Sequence, residues 1–157
     1  MPVKGNVRTG DWVTTLTIDI SPAIYASGDL LADVVEVPYA CEVNGSSILE
    51  TAVVTDFSDQ AGAMHLVFFR ANPGALGVIN AAMAITDTQA ALGCGHVAIA
   101  ATDYSDLGAQ QMATKTSVGL EMMPADAGTS LWMAIKSMDT KTYAKPYLSV
   151  KLGFLRG

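Results

Sequence analysis

The chain reads as all-β: a two-sheet β-sandwich of about eight strands, jelly-roll-like, with at most one short helix. Three observations predict it. Segments rich in Val, Ile, Thr and aromatic residues alternate between apolar and polar with a period of two. Pro, Gly and Asn-Gly breaks separate them at intervals longer than a simple meander needs, which calls for two packed sheets. Only one stretch carries helix start and stop signals, and it is short. A jelly roll or related sandwich satisfies all three.

In chain order, residues 1–11 are polar, with Gly5 and Gly10, and are expected to form an N-terminal arm ahead of a single domain at 12–157. Trp12–Ile20 is the first strand, with Trp12, Thr14, Leu16, Ile18 and Ile20 on one face. Ser21-Pro22 ends it. Leu30–Val37 follows and stops at Pro38. Asn44-Gly45 is a turn pair that accepts positive φ. Ile48–Thr55 and Met64–Phe69 form the strongest unit, expected as a hairpin-like pair of arms joined by the turn-rich Asp56–Gly62. Ala71-Asn72-Pro73-Gly74 breaks the chain again. Within Ala81–Leu92, Thr86 or Asp87 caps one short helix that Gly93 ends. His96–Ala101, Met112–Met122, Leu131–Lys136 and Tyr147–Leu155 complete the set, with Thr102–Asp106 as a polar loop.

Composition narrows the function classes. Of 157 residues, 50% are hydrophobic and 15% charged, against a usual charged share of roughly a quarter. Such a shortage predicts that part of the surface is covered by another subunit or a larger partner. A net charge of −6 with nine scattered Lys and Arg disfavours nucleic acid, whose phosphates require clustered cations. No apolar run approaches the ~20 residues of a membrane-spanning helix. Met1–Asn6 lacks the basic-then-apolar pattern of a secretory leader. Cys41 and Cys94, without framework spacing, fit a reducing cytosol, although a bridge between them stays open.

Candidates for chemistry are few. His65 alternates with large apolar residues in a strand and is expected to be a hydrogen-bonded inner or interface histidine. His96 follows Gly93-Cys94-Gly95, but a Cys-x-His pair lacks the four recurrent ligands of a structural zinc site. No Gly-x-Ser-x-Gly elbow is present, and Cys94 has no activating cation beside it. Asp56 with Asp59, and Asp103 with Asp106, are read as solvated turn residues, since neither pair has the spacing of a calcium loop. The expectation is therefore no enzyme, no metal and no cofactor. Trp132 lies opposite Leu131, Met133 and Ile135 on its strand, outside the main core, and is the candidate subunit or capsid contact. Most of the eight methionines are expected to fill the core.

Three segments together resemble a family of tailed-bacteriophage virion proteins encoded near the major capsid gene. The first is Val53-Val54-Thr55-Asp56 with Asp59-Gln60-Ala61, then Leu66-Val67-Phe68-Phe69 before Ala71-Asn72-Pro73-Gly74. The second is Ala101–Gly108. The third is Gly128–Ala134, followed by Thr140, Thr142-Tyr143-Ala144 and Leu148–Leu155. Met64-His65 and the two cysteines depart from the pattern. The resemblance covers most of residues 48–155. It implies a jelly-roll-like capsid cement or decoration protein without enzymatic activity, oligomeric as a dimer or trimer on the outside of an icosahedral head. Its partners would be the major capsid protein and itself, and it would be assembled in the host bacterial cytoplasm. A head–tail or tail component is the alternative within the virion. A carbohydrate-binding module, using Trp132, Tyr104 and the paired aspartates, is the alternative from another class.

Overall fold

The computed structural model of the protein describes residues 11–157. Residues 1–10 of the expected arm lie outside the described residues, and Asp11 already belongs to the first strand. The strands are β1 (Asp11–Asp19), β2 (Ile24–Tyr25), β3 (Leu30–Val37), β4 (Ser47–Asp56), β5 (Met64–Phe69), β6 (Gly93–Ile99), β7 (Tyr104–Asp106), β8 (Gln111–Lys115), β9 (Leu120–Met122), β10 (Leu131–Ser137), β11 (Lys141–Thr142) and β12 (Tyr147–Arg156). One short helix, α1 (Asp87–Ala90), and a 3-10 turn at Ala101–Asp103 complete the described residues.

Two sheets face each other. The larger runs β1-β12-β4-β8-β7, with β9 also on β4, and the smaller runs β3-β10-β5-β6. β4 and β5 therefore do not pair as the expected hairpin-like unit: their connection crosses from one sheet to the other, so each arm buries its apolar face against the opposite layer. β2 and β11 make a separate two-stranded ribbon. Every strand pair is antiparallel. The eight strands expected from the sequence supply a jelly roll: first with last (β1–β12), second with seventh (β3–β10), third with sixth (β4–β8), and fourth with fifth (β5–β6). This is one long antiparallel ladder folded over on itself. The β1–β12 ladder pairs all nine residues of β1 without a shift, from Asp11 opposite Leu155 to Asp19 opposite Tyr147.

The main core lies between the sheets and is built from alternate positions. Ile18, Leu49, Val54, Leu66, Phe68, Met133, Ile135, Val150, Leu152 and Phe154 all point inward and are buried. β3 departs from alternation. Two register shifts against β10 place extra residues in β3, so Leu31 enters the main core while adjacent Leu30 is buried on the outer side. Bulges re-aim side chains in this way.

Met112–Met122, expected as one strand, is divided. β8 and β9 both pair with β4, and the chain between them turns through Ser117 at φ 54° and Gly119 at φ 68°. Left-handed backbone at two positions cannot continue a strand. The loop expected at Thr102–Asp106 contributes β7, paired with β8.

Residues 70–92 fold back over the outer side of the four-stranded sheet. Leu76, Leu30, Phe69 and Ala134 form a second buried cluster there, with Trp132, Val67 and Met83 against it. Asp33 Oδ1 accepts the backbone N–H of Leu76 at 3.1 Å and so ties this segment to the sheet. Thr86 and Gln89 close a capping box on α1, and Gln89 Nε2 donates to the carbonyls of Pro73 and Ala75.

Candidate functional site

The aspartates of the β4–β5 connection organise backbone. Asp56 is fully buried, which corrects its expected solvated position. Its Oδ1 accepts the N–H of Ser58 at 2.7 Å, and its Oδ2 accepts those of Gln60 at 2.8 Å and Ala61 at 3.0 Å. A short connection with left-handed residues at Asp59 and Ala61 leaves N–H groups facing inward, and the carboxylate at the strand end collects them. Asp59 Oδ1 accepts from Gln111 Nε2 at 2.7 Å. Asp103 pairs with Lys115 at 2.7 Å, and that contact pulls its carboxyl below the usual range. Asp106 Oδ1 accepts the N–H of Gly108. Among the described residues, no group of three His, Cys, Asp or Glu is placed to hold a metal ion.

Two tyrosines lie beside this connection. Tyr104 Oη donates to the Gly62 carbonyl at 2.9 Å, so it is engaged inside the fold. Burial raises the Tyr104 and Tyr143 phenols above their ordinary range, reinforced by nearby carboxylates including Asp56 and Asp139.

The two histidines come together. His65 on β5 and His96 on β6 stack with ring centroids 4.5 Å apart and planes 26° from parallel. His65 is half-buried on the outer face and has no hydrogen-bond partner among the described residues, which corrects the inner, hydrogen-bonded alternative of the expected inner or interface histidine. Burial lowers its pKa, and His96 and Lys136 lower it further. Lys136 lies opposite His65 across the β10–β5 pair. The rings line a groove of about 420 Å³ walled by Val67, Phe69, Met83 and Ile85. Cys41 and Cys94 are both free thiols, and burial raises both pKa values. Cys41 Sγ contacts Ser47 Oγ at 3.2 Å within the core.

Trp132 projects from the outer face of the four-stranded sheet, as its alternation predicts, and packs half-buried on the second cluster. It floors a cleft of about 300 Å³ with Arg70, Asn72, Asp126, Thr129 and Ser130. The two walls are joined by the Ala125 N–H donating to the Arg70 carbonyl at 2.9 Å. Asn72 and Asp126 each brace their own turn by accepting a glycine N–H, from Gly74 and Gly128. The Arg70 guanidinium has no ion-pair partner among the described residues.

The outer face of the six-stranded sheet has a different character. Register places Val13, Gly153 and Thr51 in one row, Thr15, Lys151 and Val53 in the next, and Thr17, Ser149 and Thr55 in a third. Lys151 is the single charged residue among these nine positions. A Cβ at Gly153 would collide with Thr51 Oγ1, so the glycine leaves room for the Thr51 side chain beside it. The hydroxyl pattern of this face was present in the alternation of each strand. What no local pattern carries is that the three strands sit side by side.

No family model matches the chain, and no curated protein matches it. Among solved structures, similarity is found to the infectious bursal disease virus VP2 subviral particle, at 13% identity and a TM-score of 0.25, covering 92% of this chain and 41% of that chain. It is also found to the infectious bursal disease virus Gx strain, at 12% identity and a TM-score of 0.20, covering 92% of this chain and 39% of that one. The chain thus spans about two fifths of the length of the structures it matches, and likeness at these scores defines neither family nor function.

Proposed function

We propose that the protein is a non-enzymatic virion structural protein, a cement or decoration protein on the outer surface of a bacteriophage head. In this reading it binds the major capsid protein, stabilises contacts between capsomers, and acts as a homo-oligomer, a dimer or trimer. The observation that carries the reading is the hydroxyl-rich patch of Thr15, Thr17, Thr51, Thr55 and Ser149 with Val13 and Val53, which holds one charge, Lys151, and is bounded on β1 by Asp11 and Asp19. Covering such a face removes few charges from water, so modest contacts remain favourable. Repetition over a symmetric shell turns modest contacts into strong occupancy. A jelly roll presents the face on a rigid body, with little ordering on binding. The sequence resemblance over residues 48–155 points the same way, and the candidate acids Asp56 and Asp103 are already held by backbone N–H groups and Lys115.

The test is to mix purified protein with undecorated heads and to image them by cryo-electron microscopy. Stoichiometric occupancy of the shell, at hundreds of copies per particle, is expected. A small ring-sized copy number would move the protein to the head–tail junction or tail, and absence from mature virions would overturn the proposal.

The Trp132 cleft favours a second reading, a carbohydrate-binding module. An aromatic floor with Arg70, Asn72, Asp126 and Ser130 around it offers apolar contact to a sugar ring and polar partners to its hydroxyls. Tyr104 and the paired aspartates play no part in this version, being engaged elsewhere. A glycan array in which Trp132→Ala loses no signal removes it.

A further inference from the structure

We propose that the groove over the His65–His96 pair binds a small organic anion, a carboxylate carried on an aromatic or branched apolar body. The two histidines of the chain are brought onto adjacent strands and stacked. Lys136 stands beside them, paired across strands with His65. Three side chains able to carry positive charge thus line one groove in a protein of net charge −6. No carboxylate is among the lining residues.

The carboxylates on the surrounding elements are committed or face away from the lining. On β3, Asp33 Oδ1 accepts from Val34 and Leu76, and Glu36 accepts from Ser130. Just past β10, Asp139 Oδ2 accepts the N–H of Ala63, while its Oδ1 is buried without a hydrogen-bond partner among the described residues and lies outside the groove lining. Asp29, ahead of β3, accepts the N–H of Ala26. Asp87, in the first turn of α1, is exposed outside the groove lining. Lys136 has no ion pair among the described residues, and neither imidazole has a hydrogen bond. Among the described residues, no carboxylate pairs with the three basic side chains of this groove.

The remaining wall is apolar, formed by Val67, Phe69, Met83 and Ile85. A volume of about 420 Å³ lies within the roughly 300–1,000 Å³ range of small-molecule sites, which combine apolar walls with a few placed polar groups. Burial first, then His96 and Lys136, hold the pKa of His65 down, so its imidazole resists protonation in the empty groove. An anion in the groove reverses that balance. Binding and proton uptake are therefore coupled, and affinity rises as pH falls.

Phenylacetate is a suitable probe, with 2-phenylethanol as its uncharged counterpart, each titrated against the wild-type protein at about pH 5.5 and about pH 8. The ring-proton NMR signals of two histidines are readily followed. Phenylacetate is expected to shift both rings at acidic pH and to bind at least about tenfold more tightly there than at alkaline pH, one proton per pH unit giving a factor of ten. Lys136→Met is expected to weaken binding several-fold at both pH values. Unshifted rings, equal binding of the alcohol, or pH-independent affinity would overturn the proposal. The wild-type comparison decides the matter without relying on any variant.

Discussion

The hydroxyl of Tyr143 lies directly against the Cα of Gly62, where any Cβ would collide with it. Tyr143 is buried, and its hydroxyl has no hydrogen-bond partner among the described residues. Gly62 is not in the left-handed region, so the demand for glycine is steric. Gly62→Ala is expected to destabilise the protein by about 1–3 kcal/mol, as overpacking does. Tyr143→Phe removes an unpaired buried hydroxyl and is expected to be neutral or stabilising. In the double variant the alanine regains part of its loss. A urea-denaturation cycle over the four proteins measures the coupling, and additive effects would contradict this geometry.

Asp56 holds three backbone N–H groups in a fully buried position. Asp56→Ala leaves all three unpaired and is expected to cost about 3 kcal/mol or more. Asp56→Asn keeps one accepting oxygen and is expected to fall between alanine and wild type. Chemical denaturation gives the order, and equal stability of alanine and asparagine would show that the N–H groups do not depend on the carboxylate.

The left-handed turn between β8 and β9 is testable at two neighbouring residues. Gly119→Ala meets open space but keeps φ near 68°, and is expected to cost about 1 kcal/mol. Ser117→Gly, at φ 54°, is expected to relieve backbone strain and offset the entropy of a freer unfolded chain, leaving it the milder change of the two. Melting temperatures compare them directly.

His65 sets a pH dependence. Its folded pKa is depressed, by burial first and then by His96 and Lys136. The folded state therefore binds protons less readily than the unfolded chain, whose histidine titrates near 6.5. The associated stability is fully present above about pH 6.5 and is lost as pH falls through the lower folded value. Urea midpoints at neutral and acidic pH are expected to decline less in His65→Gln than in wild type across that window. An unchanged decline would place the acid sensitivity elsewhere.

On the outer face of the six-stranded sheet, Thr15 is exposed and Val53 is half-buried beside Lys151. Thr15→Glu is expected to change stability by no more than about 0.5 kcal/mol, in line with surface substitutions. Under the proposed function it places a carboxylate in the covered surface and reduces head occupancy. Co-sedimentation with heads measures it, and unchanged occupancy would move the contact to another face.

Trp132 shows how far local pattern reaches. Alternation alone put it opposite Leu131, Met133 and Ile135, and it sits there. Alternation also placed Val67 and Phe69 with His65 on one face of β5, but the partner of His65 lies beyond the 70–92 connection on β6. A period of two is visible within one strand because each Cβ direction follows from its own backbone. Which strands become neighbours depends on burying faces from distant parts of the chain.

Local alternation and turn chemistry carry the all-β class, the short capped helix and seven of the eight main strands as single runs; they miss the division of Met112–Met122 at Ser117 and Gly119, the burial of Ala113 on β8 and the broken alternation of β3. Tertiary structure alone decided the jelly-roll pairing, the second cluster beneath residues 70–92, the burial of Asp56 and the His65–His96 stack. Each of these required two segments remote in sequence to compete for the same space and the same hydrogen-bonding groups.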